Sequence, residues 1–276
     1  MKSKPVVYES HMHTVLCGHA VGRIEDYAAT AERRGLAGLV VTCHNPMPDE
    51  GFGGAAVRMR SEQLPEYVNM VQRAAETYAG RVDVRLGLEC DYFPGYESHL
   101  AQQLGLYPFE HVLGSVHPHF SMWRNAFFAD DPESTWRHYF QQLAEAAETQ
   151  LFDTLSHPDL IKNWFADRWD PQPVMDCVAE CLDRIAATGV AMELNTSGLY
   201  KTFPEMNPGH WMLEQMFARS IPVVVGADAH EPGRVGDRFL AAYRLLKQVG
   251  YSHVSQFLSR RRCDLPIDEA IGSLEN

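Results

Sequence analysis

Seven short apolar runs, rich in β-branched residues, recur along the chain and alternate with longer segments of helical period. They are PVVYES (5–10), AGLVVTC (37–43), VDVRLGLE (82–89), EHVLGSV (110–116), FDTLS (152–156), VAMELN (190–195) and IPVVVGA (221–227). Between them lie GRIEDYAATAERRG (22–35), SEQLPEYVNMVQRAAETYAG (61–80), ESHLAQQLG (97–105), DPESTWRHYFQQLAEAAETQ (131–150), QPVMDCVAECLDRIAATG (172–189) and NPGHWMLEQMFARS (207–220). GRVGDRFLAAYRLLKQVG (233–250) follows the last run and also has helical period. Asp131-Pro132 and Asn207-Pro208 read as a cap followed by proline at the first helical position, and Gly35, Gly80 and Gly189 read as helix ends.

Strands that are almost wholly apolar need cover on both faces, so these runs are expected to pair in parallel beneath helices. Seven such units predict an α/β fold, a distorted (β/α)7 barrel of TIM-like design, and 276 residues suit one domain spanning 1–276. Lys plus Arg total 24 against 36 Asp plus Glu, a net charge of −12 with no long run of either sign, which argues against a nucleic-acid partner. The opening MKSKPVVYES is too polar for a secretory core, and no stretch approaches the roughly 18 apolar residues of a membrane span, so a soluble, cytoplasmic protein is expected. The six cysteines are scattered without a CxxC pair and read as reduced, mostly buried thiols. No sequence feature speaks to oligomeric state.

In a parallel βα barrel the chemistry gathers where strands run out into loops. His11, His13 and His19 follow the first run, His44 the second, Glu89 ends the third, His117 follows the fourth with His119 beside it, His157 the fifth, and Asp228 and His230 the seventh. A single HxH carries little weight, but here six strand ends coincide, and barrel closure would bring them to one mouth. Seven imidazoles and two carboxylates suit Zn²⁺, Mn²⁺ or Fe²⁺ better than Ca²⁺ or Mg²⁺. Nine donors exceed the needs of one ion, so two or three divalent ions are expected, with Glu89 able to bridge a pair about 3.5 Å apart. In extended backbone His11 and His13 point the same way, and Asp228 and His230 repeat that spacing. Of the other histidines, His99, His138, His210 and His253 are expected in helical segments and His111 at a strand start, all as packing or surface groups, while His119 stays open.

These residues sit in the stretches ESHMHT, VTCHNP, LGLEC, GSVH, LSHPDL and GADAH, which together resemble the signature of the polymerase and histidinol phosphatase (PHP) family. The resemblance spans nearly the whole chain. GSVH, SHPDLIK, ELNTSGLYK and VGADAHEPGRVG are most similar to its stand-alone histidinol-phosphate phosphatases, as opposed to domains attached to DNA polymerases. It implies one ion held by His11, His13, Glu89 and Asp228, a second by Glu89, His117 and His157, and a third by His19, His44 and His230. Two positions depart from the family pattern. Cys43 stands where many relatives carry an acidic residue, and Tyr200-Lys201 stand where an arginine often follows NTSGL.

The function expected is hydrolysis of a phosphomonoester, L-histidinol phosphate above all, by a metal-bridging hydroxide. Asp159 is a candidate leaving-group acid, with Asp228 the second catalytic carboxylate. Arg58, Lys162, Lys201, Arg234 and Ser197 are candidate phosphate contacts, since a dianionic group entering an acidic protein needs cations near the mouth. GFGGAAVRMR (51–60) reads as a lid or as a solvated connection, and HFSMWRNAFF (119–128) as an aromatic substrate wall or as packing. Other PHP phosphoesterases acting on nucleotides or small esters, an amidohydrolase and a non-catalytic PHP module are the alternatives. The complete ligand set argues against the last.

Overall fold

The fold is that of a computed structural model, in which residues 4–275 are described. Seven strands, β1 (Tyr8–Glu9), β2 (Gly38–Val41), β3 (Asp83–Asp91), β4 (His111–Ser115), β5 (Thr154–Leu155), β6 (Ala191–Asn195) and β7 (Val223–Gly226), form one sheet in sequence order. Each neighbouring pair is parallel. Closure comes from the backbone beyond β1 and β7: Met12 bridges Ala229, with His13 N donating to Ala229 O (2.9 Å) and Ala229 N to His11 O (3.0 Å). The HxH and DxH segments are therefore the seam of the barrel as well as expected ligand carriers.

Helices α1 (Ile24–Arg33), α2 (Leu64–Tyr78), α3 (Glu97–Leu104), α4 (Ser121–Phe127), α5 (Pro132–Glu148), α6 (Met175–Thr188), α7 (His210–Ala218), α8 (Phe239–Val249) and α9 (Ile267–Leu274) complete the described chain with a hairpin of β8 (His253–Leu258) and β9 (Arg261–Pro266). The helices bury the faces their periodicity marks out. In α1 these are Ile24, Tyr27, Ala28 and Ala31, a stripe spaced i, i+3, i+4, i+7 against the sheet. Asp131 caps α5 by accepting from Ser134 N (2.8 Å), with Pro132 in the first turn, and α6 stops at Gly189, whose φ of 76° is left-handed. Among the described residues no helix is long and apolar enough to cross a membrane.

The C-terminal hairpin was not anticipated, because β9 (RRCDLP) is largely exposed and has no apolar run to read. It covers the N-terminal end of the barrel, where Gln256 Oε1 accepts from Tyr8 N (3.1 Å) and Arg260 N donates to Glu110 O (2.8 Å). His253 opens β8, so its expected place in a helix is corrected. Asn207-Pro208 likewise does not begin α7. That peptide is cis, Asn207 pairs with the backbone of Asn195, and Gly209 takes the cap position before His210. All six cysteines are free thiols, five buried and Cys263 exposed.

Candidate metal centre

Pleating of β1 and its continuation sends His11 and His13 inward while Met12 joins the apolar core, and all three are fully buried. The chain then turns sharply. Thr14 Oγ1 accepts from Leu16 N (3.3 Å), a single 3-10 turn covers Val15–Cys17, and Gly18 adopts φ 80°. Only glycine suits that position, since a Cβ there would lie 2.8 Å from Ala55 O in addition to the left-handed strain. The turn carries His19 back over the mouth, where its Nδ1 donates to Cys17 O (2.9 Å) and leaves Nε2 free.

Beyond β2, His44 pairs with Glu89 in a short parallel bridge. Glu89 stands at the centre. Its Oε1 lies 3.1 Å from His157 Nε2, 3.5 Å from His11 Nε2 and 3.7 Å from His117 Nε2, and its Oε2 lies 2.9 Å from His44 Nδ1 and 3.5 Å from His13 Nε2. One carboxylate thus faces two sets of imidazoles, as a bridging ligand must. Asp228 Oδ1 lies 3.2 Å from His13 Nε2 and 3.7 Å from His11 Nε2. His157 and Asp228 reach inward from left-handed backbone, φ 28° and 49°. For residues other than glycine such conformations cost about 1–3 kcal/mol each and tend to collect at functional sites.

Ring orientation is set by a second tier of acceptors. His11 Nδ1 donates to Glu193 Oε1 (2.8 Å), His117 Nδ1 to Asp91, and His230 Nδ1 to Asp228 O (3.0 Å), so each presents Nε2 to the centre. Glu193 also accepts from His157 N (2.9 Å) and Asn195 Nδ2 (2.9 Å). Sequence reasoning passed over both carboxylates. Their signals were present: Glu193 interrupts the apolar run VAMELN, and Asp91 repeats the i, i+2 spacing after Glu89 in LECD.

Electrostatics fit a cation at this point. Burial would raise Glu89, but His44 and His11 hold it well below the usual carboxylate range, and burial would raise Asp228, but His11 and His13 hold it low as well. Burial pushes His44 down to about 4 and His230 down to about 3, leaving them neutral with free lone pairs. His13 runs the other way: burial alone would lower it, yet Asp228, Cys17 and Glu89 beside it raise it to about 9. The two carboxylates demand positive charge where the imidazoles converge. Buried atoms with no hydrogen-bond partner include His11 Nε2, both ring nitrogens of His13, His157 Nδ1 and His230 Nε2. Such atoms are costly unless something binds them, and divalent ions suit the donor set.

Donor atoms lying within 4.8 Å of one another form the groups His11, His13 and Asp228; His44, Glu89 and His117; His13, His44 and His230; and Cys17, His19 and His230. The first holds three of the four residues that the family resemblance implies for one ion, without Glu89. In the others His44 keeps company with Glu89 and His117, or with His13 and His230, whereas Cys17 joins His19 and His230. Cys17 was not singled out from the sequence as a donor.

A model of the PHP domain matches residues 9–197. The chain belongs to the PHP family. A Deinococcus radiodurans relative named "Probable histidinol-phosphatase" is 40% identical over 253 residues, covering 88% of this chain and 93% of its own. The histidinol-phosphatase of Bacillus subtilis is 26% identical, over 83% of this chain and 95% of its own. Among solved structures, the histidinol phosphate phosphatase of Lactococcus lactis, complexed with zinc, L-histidinol and phosphate, superposes with a TM-score of 0.79 at 17% identity, over 93% of this chain and 98% of that one. The (β/α)7 architecture is thus shared with that structure.

Around the PHP centre opens a cavity of about 430 Å³, lined beyond the ligands by Val57, His119, Leu160, Trp164, Tyr200 and Lys201 among others. Lys201 Nζ reaches to 3.7 Å from Asp228 Oδ2, and Ser197 Oγ donates to the same oxygen (3.0 Å). Arg234 lies at the adjoining rim, its guanidinium 3.6 Å above the Tyr200 ring and 3.4 Å from Asp237. Of the aromatic stretch 119–128, His119 faces the cavity, its ring 6.0 Å from that of Trp164, while Phe120 and Trp123 are packed inside.

Two expected phosphate contacts and the expected leaving-group acid are corrected. Arg58 is buried beneath the loop, donating to Asp91 Oδ2 (2.6 Å), Asn45 O (3.0 Å) and Phe52 O (2.8 Å), so it anchors the glycine-rich segment instead of meeting a ligand. Lys162 is fully buried between Asp159 (3.0 Å), Glu205 (3.0 Å) and Met206 O (2.7 Å). Asp159, also fully buried, accepts from Asn207 Nδ2, Gly209 N and Lys162, which leaves it no path to a leaving group. In each case the charge is spent inside the protein, holding loops in register. Arg58→Ala, which removes the charged partner of the buried Asp91 carboxylate and leaves it only His117, is expected to lower unfolding free energy by about 3–5 kcal/mol, read from urea denaturation.

Proposed function

We propose that the chain is a metal-dependent phosphatase that hydrolyses L-histidinol phosphate to L-histidinol and phosphate. The observation that carries this reading is the convergence of His19, His44, Glu89, His117, His157, Asp228 and His230 on one cavity that Lys201 also lines, with His11 and His13 buried against Glu89 and Asp228 behind it. The relatives' histidinol-phosphatase names, and the zinc, histidinol and phosphate held by the Lactococcus lactis protein, support the substrate. Two or three divalent ions would be held by these nine residues, with Asp228 acting only as a ligand and as acceptor for Ser197. Such ions supply charge neutralisation for the phosphoryl group and a water made nucleophilic at neutral pH.

The chain's own residues bind and orient. Glu193 and Asp91 fix the His11 and His117 rings, so that lone pairs and not N–H groups face the centre. Lys201, one-third exposed at the rim, pairs with incoming phosphate oxygens, and Ser197 adds a hydroxyl beside it. Arg234 supplies positive charge from the rim. The facing His119 and Trp164 rings suit the flat imidazole of the substrate.

A panel of phosphate esters tests the assignment. L-Histidinol phosphate is expected to exceed nucleotide and sugar phosphates in kcat/KM by at least about tenfold, or roughly 1.4 kcal/mol in transition-state binding. A tenfold preference for another ester would remove the histidinol assignment. Lys201→Ala is expected to weaken phosphate recognition by about 1.5–3 kcal/mol, raising KM about 10- to 150-fold while metal content stays constant. An unchanged KM would take Lys201 out of the substrate site.

A further inference from the structure

Among the described residues the C-terminal hairpin ends in a strand with one neighbour only. Strands β8 and β9 form a sheet of two, and along β9 residues 261–264 are all exposed. We propose that two copies of this chain pair antiparallel along β9, about a two-fold axis through Cys263 that sets Arg262 of each copy opposite Asp264 of the other. This edge lies on the floor of the barrel, and its pairing is independent of what the metal centre does.

Hairpin geometry decides which backbone groups face outward. Leu258 pairs with Arg261 across a two-residue turn, Ser259-Arg260, whose φ angles of 53° and 59° are both left-handed, as a type I′ turn requires. The closing pair of such a hairpin exchanges both backbone bonds, and along an antiparallel ladder bonded and non-bonded pairs alternate. Cys263 and Leu265 therefore bond back to β8, and the same series continues where Ile267 N donates to Ser252 O (2.9 Å). Arg262 and Asp264 hold the non-bonded positions, so their N–H and C=O groups point to the open edge. Edge groups of this kind are a template for another strand.

Charge selects one register. An axis through Arg262 sets that guanidinium against its own copy, and an axis through Asp264 sets carboxylate against carboxylate; like charges directly opposite are destabilising. An axis through Cys263 brings the same outward groups together with opposite charges, each Arg262–Asp264 pair exchanging both backbone bonds with its side chains on one face. Within the single chain Arg262 Nε already lies 3.3 Å from Asp264 Oδ1, and Ser255 Oγ donates to that oxygen (2.7 Å), holding the carboxylate on this face. Association turns the pair into two arginines and two aspartates in alternation. The hairpin covers the N-terminal end of the barrel, so the mouths of both copies stay open. A contact along one strand is smaller than the roughly 1,200 Å² of a stable interface, which predicts a dissociation constant on the order of 10 μM or weaker.

Sedimentation equilibrium of the full-length, metal-loaded protein tests the pairing. The average mass is expected to rise from that of one chain toward twice that value between about 1 and about 200 μM. Asp264→Arg and Arg262→Asp, each of which sets like charges opposite, are expected to stay monomeric, and the double exchange R262D/D264R to dimerise again. Rescue by the exchange is a result that a purely local role for either side chain would not give, and unaltered turnover in all three variants shows that they fold. The native protein supplies a second readout, because Cys263 is the one exposed thiol of the six and meets its own copy at a non-bonded position, with Cα atoms about 4.5 Å apart. Diamide, which takes two electrons and two protons from a pair of thiols, is expected to link two chains there, and the link to be lost in Cys263→Ser. A native chain that stays monomeric throughout, a dimer that forms equally in Asp264→Arg, or a dimer that diamide does not link overturns the pairing. None of these results touches the phosphatase reading.

Discussion

Glu89→Gln removes the activity and at least one bound ion per chain. Glutamine keeps the shape of the side chain, so packing against Ser115, which donates to Glu89 Oε1 (2.6 Å), is preserved in outline. What disappears is the charge that five imidazoles face from two sides. Charge stabilisation by bound metal contributes several kcal/mol to a phosphoryl-transfer barrier, and each 1.36 kcal/mol is a factor of ten. A fall in kcat/KM of about 10³- to 10⁴-fold is therefore expected, read alongside elemental analysis of the purified variant. Native activity with native metal content would show that Glu89 does not bridge.

Stripping the metal is the second large perturbation, and it acts on the fold as well as on turnover. Chelation leaves Glu89 and Asp228 buried among imidazoles with unpartnered ring nitrogens at the seam where His11, His13 and Ala229 close the barrel. An ion present at a thousand times its dissociation constant stabilises the native state by about 4 kcal/mol. Two ions then contribute about 8 kcal/mol, and for a chain of this size each kcal/mol shifts the midpoint by about 2 °C. The metal-free protein is expected to melt about 15 °C lower in differential scanning calorimetry and to recover on adding zinc. Equal melting temperatures would mean that the centre is not filled in the native protein.

The barrel was legible because its strands are apolar on both faces. AGLVVTC and IPVVVGA admit few other readings, and the strand-end histidines followed once seven units had been counted. Position in a βα unit singled out nine side chains that the fold gathers around Glu89 and Asp228, since it depends on the backbone period alone. Position says nothing about burial, and there the reading of the cations failed. Arg58 and Lys162 lie in the right loops, but their long side chains turn inward to Asp91 and Asp159, partners set by tertiary packing. Lys201, in contrast, follows a turn at the end of β6 that projects it over Asp228. Cys17 escaped notice because in sequence it is one scattered thiol, and only the Gly18 reversal brings it beside His19 and His230. The hairpin β8–β9 was missed for the opposite reason: it covers the barrel floor with one face and exposes arginines and aspartate on the other.

Phosphate release from L-histidinol phosphate, measured as zinc is returned stepwise to the metal-free protein and plotted against ions bound per chain, tests the central claim most directly. Turnover is expected to be absent without metal and to appear as the site around Glu89 fills, reaching its full rate at two to three ions. A chain that holds two or more ions and releases no phosphate, or one that turns over the ester at full rate with none, would contradict the account.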